Sequence, residues 1–300
     1  MPARLFVLGS ANIDLTFRVP GMPRPGVTEV CPYALGFGGK GANQAVQAAR
    51  LGASVAFCGK VGDDAFGPAI IEQLRTEGIG VEHVTTAPGT LTGSAVILVD
   101  PNGQNSIITH GGPNVKLTVD DIRRAEPAIR DVDVFLATLE TPAEPLIEAL
   151  RLARTAGIRT LLNPAPPVDF PHELLRMVDC CLPNESELAA LSGLPVASIE
   201  QIQRAAEALR QKGPSRVVVT LAERGAFVLD ADGAEWIRGE PVAALDSSGA
   251  GDSFTAAVAV ALAEGQTLRV AVQSANRIAA ISVTRAGTQT SFPRRSECGP

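Results

Sequence analysis

The sequence contains few aromatic residues and few of the side chains that most often bind transition metals. Its 300 residues include one tryptophan, one tyrosine and ten phenylalanines. The three histidines, His83, His110 and His172, lie far apart without metal-ligand spacing, which argues against a histidine metal centre. The five cysteines are odd in number and show no CxxC spacing. This usage argues against a disulfide scaffold and favours a reduced, cytoplasmic protein.

Clustered positive charge and long apolar segments are also missing. The formal net charge is −6, the pI is near 5.2, and no run of basic residues is longer than two. A nucleic-acid partner is therefore not expected. The sequence shows no secretory signal and no apolar run long enough to cross a bilayer, so no membrane association is expected either. Hydrophobic residues, at 45%, are sufficient for a large and mainly aliphatic core.

Short β-branched segments alternate with helical segments along most of the chain. The predicted strands are Leu5–Leu8, Val55–Cys58, Val134–Leu136, Thr160–Leu162, Cys180–Leu182 and Arg216–Thr220. The predicted helices are Gly67–Glu77, Thr118–Arg130, Ala143–Ala156, Ile199–Lys212, a segment around 42–49 and a segment after Phe254. This alternation is typical of an α/β fold in which helices cover both faces of a mostly parallel sheet.

Two segments, at about residues 13–37 and 91–111, depart from this alternation. Leu15, Phe17 and Val19 alternate with polar residues, and two short strands flank the turn dipeptide Asn102-Gly103, which is typical of a hairpin. They predict a small antiparallel sheet outside the main layer. Since so small a sheet cannot bury both faces, it should cover a site, pair with a second subunit, or both. We expect residues 1–300 to form one α/β domain with this lid inserted.

The run from Asp246 to Phe254, Asp-Ser-Ser-Gly-Ala-Gly-Asp-Ser-Phe, immediately precedes a wholly apolar helical segment. Its small residues let backbone N–H groups approach a ligand, and the positive end of a helix dipole adds to their effect. The run therefore predicts an anion site with the carboxylate of Asp252 beside it, an arrangement suited to phosphoryl transfer. The alternative is that Asp252 only caps the helix.

Polar residues follow the predicted strands at several points. Each one alone has a simple explanation as a turn or cap residue. The carboxyl ends of parallel strands, however, share the sheet edge where open α/β sheets bind ligands. The residues concerned are Asn12, Asp14, Glu140, Asn163, Asn184, Glu187 and Thr220.

A second glycine cluster spans Gly36–Asn43. It is not a P-loop, because Gly41 follows the lysine where serine or threonine is required, and Ala34 stands at the position of the first glycine. A dinucleotide fingerprint is also absent after the first strand. What remains is a tight turn opening a helix, with Lys40 and Asn43 as donors for a polyhydroxylated ligand or an anion.

In combination these motifs resemble those of the ribokinase-like (PfkB) family of carbohydrate kinases. The similarity extends from Gly9–Asp14 to Thr284–Gln289, with the two family signatures around Gly38–Asn43 and Asp246–Phe254. The segments between them that also match are Leu139–Pro142, Asn163–Pro166, the NxxE box Asn184–Glu187 and Thr220–Gly225.

The resemblance implies ATP-dependent phosphorylation of a sugar at its primary hydroxyl. D-ribose, giving ribose 5-phosphate and ADP, is the first candidate. Fructose, deoxyribose, 2-keto-3-deoxygluconate and adenosine are alternatives, with adenosine disfavoured because few aromatic residues are available to contact a base. A non-catalytic sugar sensor is a further alternative, but that reading predicts a lost base or a broken glycine loop, and both are intact here.

The resemblance also implies roles for individual residues. Asp252 is the general base, and the N–H groups of Gly249, Ala250 and Gly251 form the anion hole. Sugar hydroxyls are held by Asn12, Asp14, Gly38, Gly39, Lys40, Asn43 and Glu140, together with Asp252 itself. ATP is bound by Asn184, Thr220, Ala222, Glu223, Arg224, Gly225, Gly251 and Asn276, although many relatives have glycine where this chain has Ala222.

Two cations and a second subunit are implied in the same way. Glu187 would bind Mg²⁺, mostly through water. Pairing through the β lid would give a homodimer. A monovalent cation, K⁺, would be held mainly by backbone oxygens of Asp246, Ser248, Ser282, Arg285, Gly287 and Ser291.

Overall fold

The computed structural model describes residues 2–102, 104–168 and 170–299. The strands are β1 (Arg4–Leu8), β2 (Asn12–Arg18), β3 (Tyr33–Gly38), β4 (Ser54–Gly62), β5 (Gly80–Ala87), β6 (Ser94–Val99), β7 (Asn105–His110), β8 (Val134–Thr138), β9 (Arg159–Asn163), β10 (Cys180–Cys181), β11 (Arg216–Thr220), β12 (Ala226–Asp230) and β13 (Gly233–Ile237). The helices are α1 (Lys40–Arg50), α2 (Phe66–Thr76), α3 (Val119–Arg130), α4 (Ala143–Thr155), α5 (Glu185–Ser192), α6 (Ile199–Gln211), α7 (Ala250–Ala263) and α8 (Leu268–Val283).

Nine strands form the central sheet, in the order β13-β12-β11-β10-β9-β8-β1-β4-β5. The run of pairs from β11 to β5 is parallel, and only β12 and β13, at one edge, pair antiparallel. The predicted α/β fold with a mostly parallel sheet is therefore confirmed. All the strands predicted for this sheet lie in it, and β5, β12 and β13 were missed.

The inner strands of the central sheet are buried on both faces, because their successive side chains enter different cores. In β1, Leu5 and Val7 join one cluster with residues of α1, α2, α7 and α8, whereas Phe6 and Leu8 join a second cluster with α3, α4, α5 and α6. A strand buried on both faces has a nearly continuous apolar sequence, and this explains why β1 was recognisable. Phe6 stacks on Phe135 of β8, one of the few aromatic pairs, at 5.8 Å between ring centroids.

The predicted small sheet is also present, in the order β3-β2-β6-β7. Its two outer pairs, β2 with β3 and β6 with β7, are antiparallel, while the inner pair β2 with β6 is parallel. The parallel pairing joins residues 81 positions apart, such as Ile13 and Ser94, and left no local signal in the sequence. The expected Asn102-Gly103 turn includes Gly103, which lies outside the described residues.

Helix α7 is the most buried helix, with every residue from Asp252 to Leu262 inside the core. It packs between α1 and α8, so an apolar sequence on all sides is required. Although this helix is apolar, no helix among the described residues is long and apolar enough to cross a membrane. All five cysteines, which lie within the described ranges, are free thiols.

Candidate active site

The carboxyl ends of the parallel strands and the starts of three helices surround a cavity of about 130 Å³. Of the residues predicted from sequence, it brings together both glycine clusters and the NxxE box. The lining residues are Lys40, Asn163, Ala165, Leu182, Asn184, Glu187, Thr220, Ser247, Gly249, Ala250, Gly251, Asp252 and Thr255. Of the residues expected at the shared edge of the sheet, Asn163, Asn184, Glu187 and Thr220 therefore line one cavity, whereas Asn12, Asp14 and Glu140 are not among its lining residues.

Helix α7 begins at this cavity with a glycine in the left-handed region. Gly249 has φ of 74°, and a Cβ there would come within 2.6 Å of the Thr288 side chain, so only glycine fits. A Cβ at Gly251, in contrast, would meet no described atom within 4 Å. The space over the first turn of α7 is therefore open. The first N–H groups of a helix have no partner within the helix, so such a space attracts an anion. One of the three predicted donors, Ala250 N–H, already donates to Ser247 O at 3.2 Å.

Asp252 lies in the first turn of α7 and is only 6% exposed. Each of its carboxylate oxygens accepts a hydrogen bond from an amide of α1. Asn43 Nδ2 donates to Oδ2 at 2.9 Å, and Gln44 Nε2 donates to Oδ1 at 2.9 Å. The carboxylate therefore faces the cavity from a fixed position and does not serve merely as a helix cap.

Helix α1 also begins with a glycine, Gly39, at φ of 86°. A Cβ on Gly39 would lie 2.7 Å from Ala11 Cα, so a larger residue would overlap the backbone after β1. The first N–H of the helix, that of Lys40, donates to Glu140 Oε2 at 3.0 Å, and Ser10 Oγ donates to the same oxygen. The positive end of the α1 dipole is thus already occupied by a carboxylate of the protein.

Asp14 lies on β2 against the backbone of Gly38, with its carboxylate where a Cβ of residue 38 would otherwise be. Burial, helped by the negative charges of Glu140 and Asp252, raises the pKa of Asp14 to about 6. Burial likewise raises the pKa of Glu140. Next to them, Asn12 Oδ1 accepts a hydrogen bond of 2.7 Å from Asn114 Nδ2, which leaves the Asn12 amide group to donate.

Lys40 is the cation of this cluster and lies on the cavity wall. The charge of Asp252, with those of Glu140 and Glu187, raises the pKa of the Lys40 ammonium despite its burial. A lysine that stays charged between these carboxylates suits a cavity that receives a strongly anionic ligand.

The NxxE box forms a capping box at the start of α5. Asn184 Oδ1 accepts from Glu187 N at 2.8 Å, and Glu187 Oε2 accepts from Asn184 N at 2.8 Å. Burial raises the pKa of Glu187, which lies 5% exposed on the cavity wall. A single carboxylate such as that of Glu187 suits Mg²⁺, because this ion keeps most of its water ligands when it binds to a protein. The described residues contain no group of three or more acidic, histidine or cysteine side chains that could bind a metal directly.

The predicted nucleotide residues divide into two groups. Thr220 pairs with Asn184 and lines the cavity. Farther out, Asn276 Nδ2 donates to the carbonyls of Ile237 and Arg238, beside the turn at 222–225.

Within that turn, Ala222 adopts φ of 51°, a conformation in which no other non-glycine residue of the described chain is found. This chain therefore has alanine instead of the glycine of many relatives at a position whose left-handed conformation is unfavourable for a residue with a Cβ. Arg224 pairs with Glu185 at 2.6 Å, and its carbonyl accepts from the indole N–H of Trp236.

Three of the predicted K⁺ residues, Asp246, Ser248 and Gly287, connect the loop before α7 with the segment after α8. Asp246 Oδ2 accepts from Gly287 N at 2.9 Å, and its Oδ1 accepts from Ser248 N at 2.9 Å. Burial alone would raise the pKa of Asp246, but these hydrogen bonds lower it, so the carboxylate stays charged. A charged carboxylate is an oxygen ligand of the kind that hard cations prefer.

Sequence reasoning missed several polar residues that complete the site. Ser10 and Asn114 hold Glu140 and Asn12, and Ser247 and Thr255 line the cavity. Gln44 was also missed, although a glutamine on the same buried helix as Ala42, Ala45 and Val46 was itself a signal. A buried amide must find hydrogen-bond partners, and such partners are often functional groups.

A cavity at the carboxyl ends of parallel strands, with a helix start and a buried carboxylate beside it, is the arrangement of α/β enzymes that bind small ligands at this edge of the sheet. Within that class, the chain belongs to the pfkB family of carbohydrate kinases, whose profile matches residues 2–295. The family resemblance seen in the sequence is confirmed.

Individual relatives are similar along their whole length. A ribokinase from Haemophilus influenzae is 39% identical over 99% of this chain and 97% of its own. A deoxyribokinase from Salmonella typhi is 37% identical over 96% of this chain and 94% of its own. The solved structure of Arabidopsis thaliana ribokinase complexed with ribose and ATP superposes with a TM-score of 0.92 at 33% identity, covering 99% of this chain and 98% of that one.

Proposed function

We propose that this protein is an ATP-dependent kinase that phosphorylates the primary 5-hydroxyl of D-ribose, giving ribose 5-phosphate and ADP. The observation that carries the proposal is the position of Asp252, which faces the cavity beside the open first turn of α7. The similarity to ribokinases, one of them solved with ribose and ATP, supports the choice of substrates.

In the proposed reaction Asp252 accepts the proton of the sugar hydroxyl while the hydroxyl oxygen attacks the γ-phosphorus of ATP. The bond from phosphorus to the oxygen of ADP breaks, so the products are the sugar phosphate and ADP. N–H groups of Gly249 and Gly251, with that of Ala250 once it turns from Ser247, stabilise the charge on the transferred group. Lys40 adds a positive charge on the same wall.

The sugar would bind beside this cavity, where Asn43 contacts Asp252 and Glu140 contacts the Lys40 N–H, among residues of β2, α1 and the end of β8. Asn12, Asp14, Asn43 and Glu140 supply carboxylate and amide groups, and Gly38 and Gly39 allow a close approach of the backbone. Because these polar groups are largely buried, a sugar lacking a required hydroxyl would leave them unpaired and bind more weakly.

ATP would lie over Asn184, Thr220 and Gly251, with its base toward Asn276 and the turn formed by residues 222–225. Mg²⁺, held by Glu187 through water, would neutralise charge on the phosphates. K⁺, held by Asp246, Ser248, Ser282, Arg285, Gly287 and Ser291, would stabilise the loop before α7. We expect activity to rise when K⁺ replaces Na⁺ or a bulky organic cation at fixed ionic strength, and an unchanged rate would contradict the K⁺ site.

We further propose that residues 1–300 form one domain whose small sheet, about 13–37 and 91–111, acts as a lid and pairs between two subunits. In support, Leu35, Ile107 and Ile108 on this sheet are about half exposed or more, at 48%, 54% and 68%. A cytoplasmic location remains a prediction from the cysteine content. Measuring the mass of the protein in solution, with Ile108→Lys as the disrupting variant, tests the dimer.

Deoxyribose is the second candidate substrate, because the deoxyribokinase from Salmonella typhi is nearly as similar as the ribokinases. A coupled assay of ADP release should compare kcat/KM for ribose, deoxyribose, fructose, 2-keto-3-deoxygluconate and adenosine. We expect ribose to give the highest value. A higher kcat/KM for deoxyribose would make deoxyribose the substrate in place of ribose. If none of these compounds supports ADP release, the proposed function is rejected.

A further inference from the structure

Gln44 has no role in the reaction described so far, yet it contacts the proposed base. It lies on α1 and is completely buried. Its Nε2 donates both to Asp252 Oδ1, at 2.9 Å, and to Asn163 Oδ1, at 3.1 Å. Both N–H groups of the Gln44 amide therefore donate to the base and to a residue of the cavity wall. This position allows Gln44 to determine the orientation of the Asp252 carboxylate.

Three further amides continue this arrangement around Asp252. Asn43 Nδ2 holds the other carboxylate oxygen, and Asn43 Oδ1 accepts from Gln289 Nε2 at 3.1 Å. On the opposite side, Asn163 Nδ2 donates to Leu182 O at 3.0 Å. We call Asn43, Gln44, Asn163 and Gln289 the amide frame. Each carboxylate oxygen is thus held by one amide, and each of those amides contacts a second one.

The orientation of these amides follows from electrostatics. If the Gln44 amide were flipped, its Oε1 would face the carboxylate of Asp252, and two acceptors would repel each other. The observed orientation instead leaves Gln44 Oε1 and Gln289 Oε1 buried without a hydrogen-bond partner among the described residues. Unpaired buried oxygens destabilise the fold, so the contact with Asp252 determines the arrangement.

Neutral donors also suit a base better than a salt bridge does. An arginine or lysine bound directly to both oxygens would hold the carboxylate but would also stabilise its ionised form and so weaken it as a base. Each amide occupies one lone pair of one carboxylate oxygen and leaves the other lone pair of that oxygen free for the sugar hydroxyl. The direction of the free lone pairs is then fixed by Asn43 and Gln44, which is a form of preorganisation.

We infer that Gln44 is a positioning residue that holds Asp252 in the orientation required for proton transfer, without touching the sugar or the nucleotide. The inference rests on the proposed function, since it assigns Gln44 a part in that reaction. It predicts that loss of the Gln44 amide lowers kcat much more than it changes sugar binding.

Gln47 provides a matched control on the same helix. It is as completely buried as Gln44 and makes the same number of amide contacts: its Nε2 donates to Pro293 O, and its Oε1 accepts from Ser253 Oγ. Neither contact involves Asp252. Gln44→Met and Gln47→Met therefore remove equivalent buried amides with a similar change in volume, and only the first alters the surroundings of the base.

The activity experiment measures kcat, sugar KM and sugar affinity by calorimetry for both variants. Gln44→Met should lower kcat about 10- to 100-fold, the loss expected from a misplaced reacting group, and change sugar affinity less than about threefold. Gln47→Met should keep kcat within about threefold of the parent protein. Equal losses of kcat in the two variants would overturn the inference, because they would reflect general damage to α1.

A second experiment needs no activity and separates this inference from the proposed function. Melting temperatures are measured for Gln44→Met, Gln47→Met, Asp252→Ala and the two double variants. Gln44→Met and Asp252→Ala should be non-additive, because the amide has no carboxylate left to hold, whereas Gln47→Met and Asp252→Ala should add. If the parent protein phosphorylates no sugar, the proposed function fails and this cycle alone decides: additivity for both pairs would overturn the amide frame.

Discussion

Helices α1 and α7 begin at the same cavity in the same way, yet their first turns are used differently. Each starts with a glycine at positive φ, Gly39 and Gly249, where a larger side chain would overlap neighbouring atoms. At α1 the first N–H donates to the carboxylate of Glu140. At α7 the space over the turn is open and faces the cavity. The positive dipole ends of α1 and α7 therefore differ in one respect: the protein supplies a carboxylate at α1 and none at the open space over α7.

The comparison explains how one cavity can bind both a neutral polyol and a polyanion. Glu140 neutralises the α1 end, so that side presents carboxylates and amides that suit hydroxyl groups. The α7 end remains positive, and Lys40 adds its charge between the two. A capped third helix start, at Asn184 and Glu187, shows the usual alternative, in which side chains satisfy the orphan N–H groups.

The largest effect is expected at Asp252, the only acidic side chain in the first turn of α7. Asp252→Asn should keep sugar affinity and lower kcat by at least ~100-fold, the lower range for loss of a general base. Calorimetry and a coupled ADP assay measure the two quantities. A nearly unchanged kcat would mean that the carboxylate is not the base, and the two helix starts would lose their functional difference.

At the start of α1 the expected effect is on stability. Gly39→Ala places a Cβ 2.7 Å from Ala11 Cα at a φ of 86°, so it should lower the free energy of unfolding by about 3 kcal/mol. Urea denaturation of the purified variant measures this change. A loss below about 1 kcal/mol would show that the glycine turn tolerates a side chain and that its geometry is not fixed by packing.

The same substitution at Gly251 should act in the opposite direction on stability. Alanine is favoured over glycine in a helix, so Gly251→Ala should raise the free energy of unfolding by about 0.5 kcal/mol. Its methyl group would fill the open space over the α7 turn and lower kcat/KM for ATP about tenfold. Full activity in the more stable variant would contradict an anion site at this turn.

The smallest effect expected is a pH dependence of sugar binding. Because the pKa of Asp14 is about 6, most of its charge is lost by pH 5, and the carboxylate then accepts hydroxyl hydrogen bonds poorly. Sugar affinity should fall several-fold, up to about tenfold, between pH 7.5 and pH 5. Calorimetry over this range measures the fall. Asp14→Asn should bind weakly at both pH values, and a pH dependence that persisted in this variant would assign it to another group, such as Glu140.

The raised pKa of Asp14 also determines the direction in which the stability of the fold changes with pH. The folded protein binds a proton at Asp14 more tightly than the unfolded chain does, since the ordinary pKa is 3.8. The unfavourable contribution of the buried carboxylate is therefore fully present above pH 6 and is relieved as the pH falls toward 4. Acid should weaken sugar binding while it removes a local source of instability.

Much of the fold could be predicted from sequence because the strands buried on both faces carry a continuous apolar signal. Strand β11, Arg216–Thr220, agrees with its prediction at both ends. Of the missed edge strands, β13 is largely exposed and its sequence carries little periodic signal, whereas β12 is buried along its whole length and its apolar sequence was overlooked. The parallel pairing of β2 with β6 depends on residues far apart in the chain, which no local pattern encodes.

The sequence by itself determined the local geometry of the site. Gly39 and Gly249 specify turns that only glycine adopts, Asn184 and Glu187 specify a capping box, and Asp252 falls in the first turn of an apolar helix. These features depend on residues within a few positions of one another. Backbone sterics and short-range hydrogen bonds are therefore sufficient to fix them.

Only the tertiary structure decided what each of these local features does. Glu140 reaches the start of α1 from 100 residues away, and Gln44 reaches Asp252 across 208 residues. Because of those contacts, the start of α1 faces the proposed sugar site, and the start of α7 stays open for an anion. The physical reason is that charges and buried amides act over a few ångströms in space, whatever their separation along the chain.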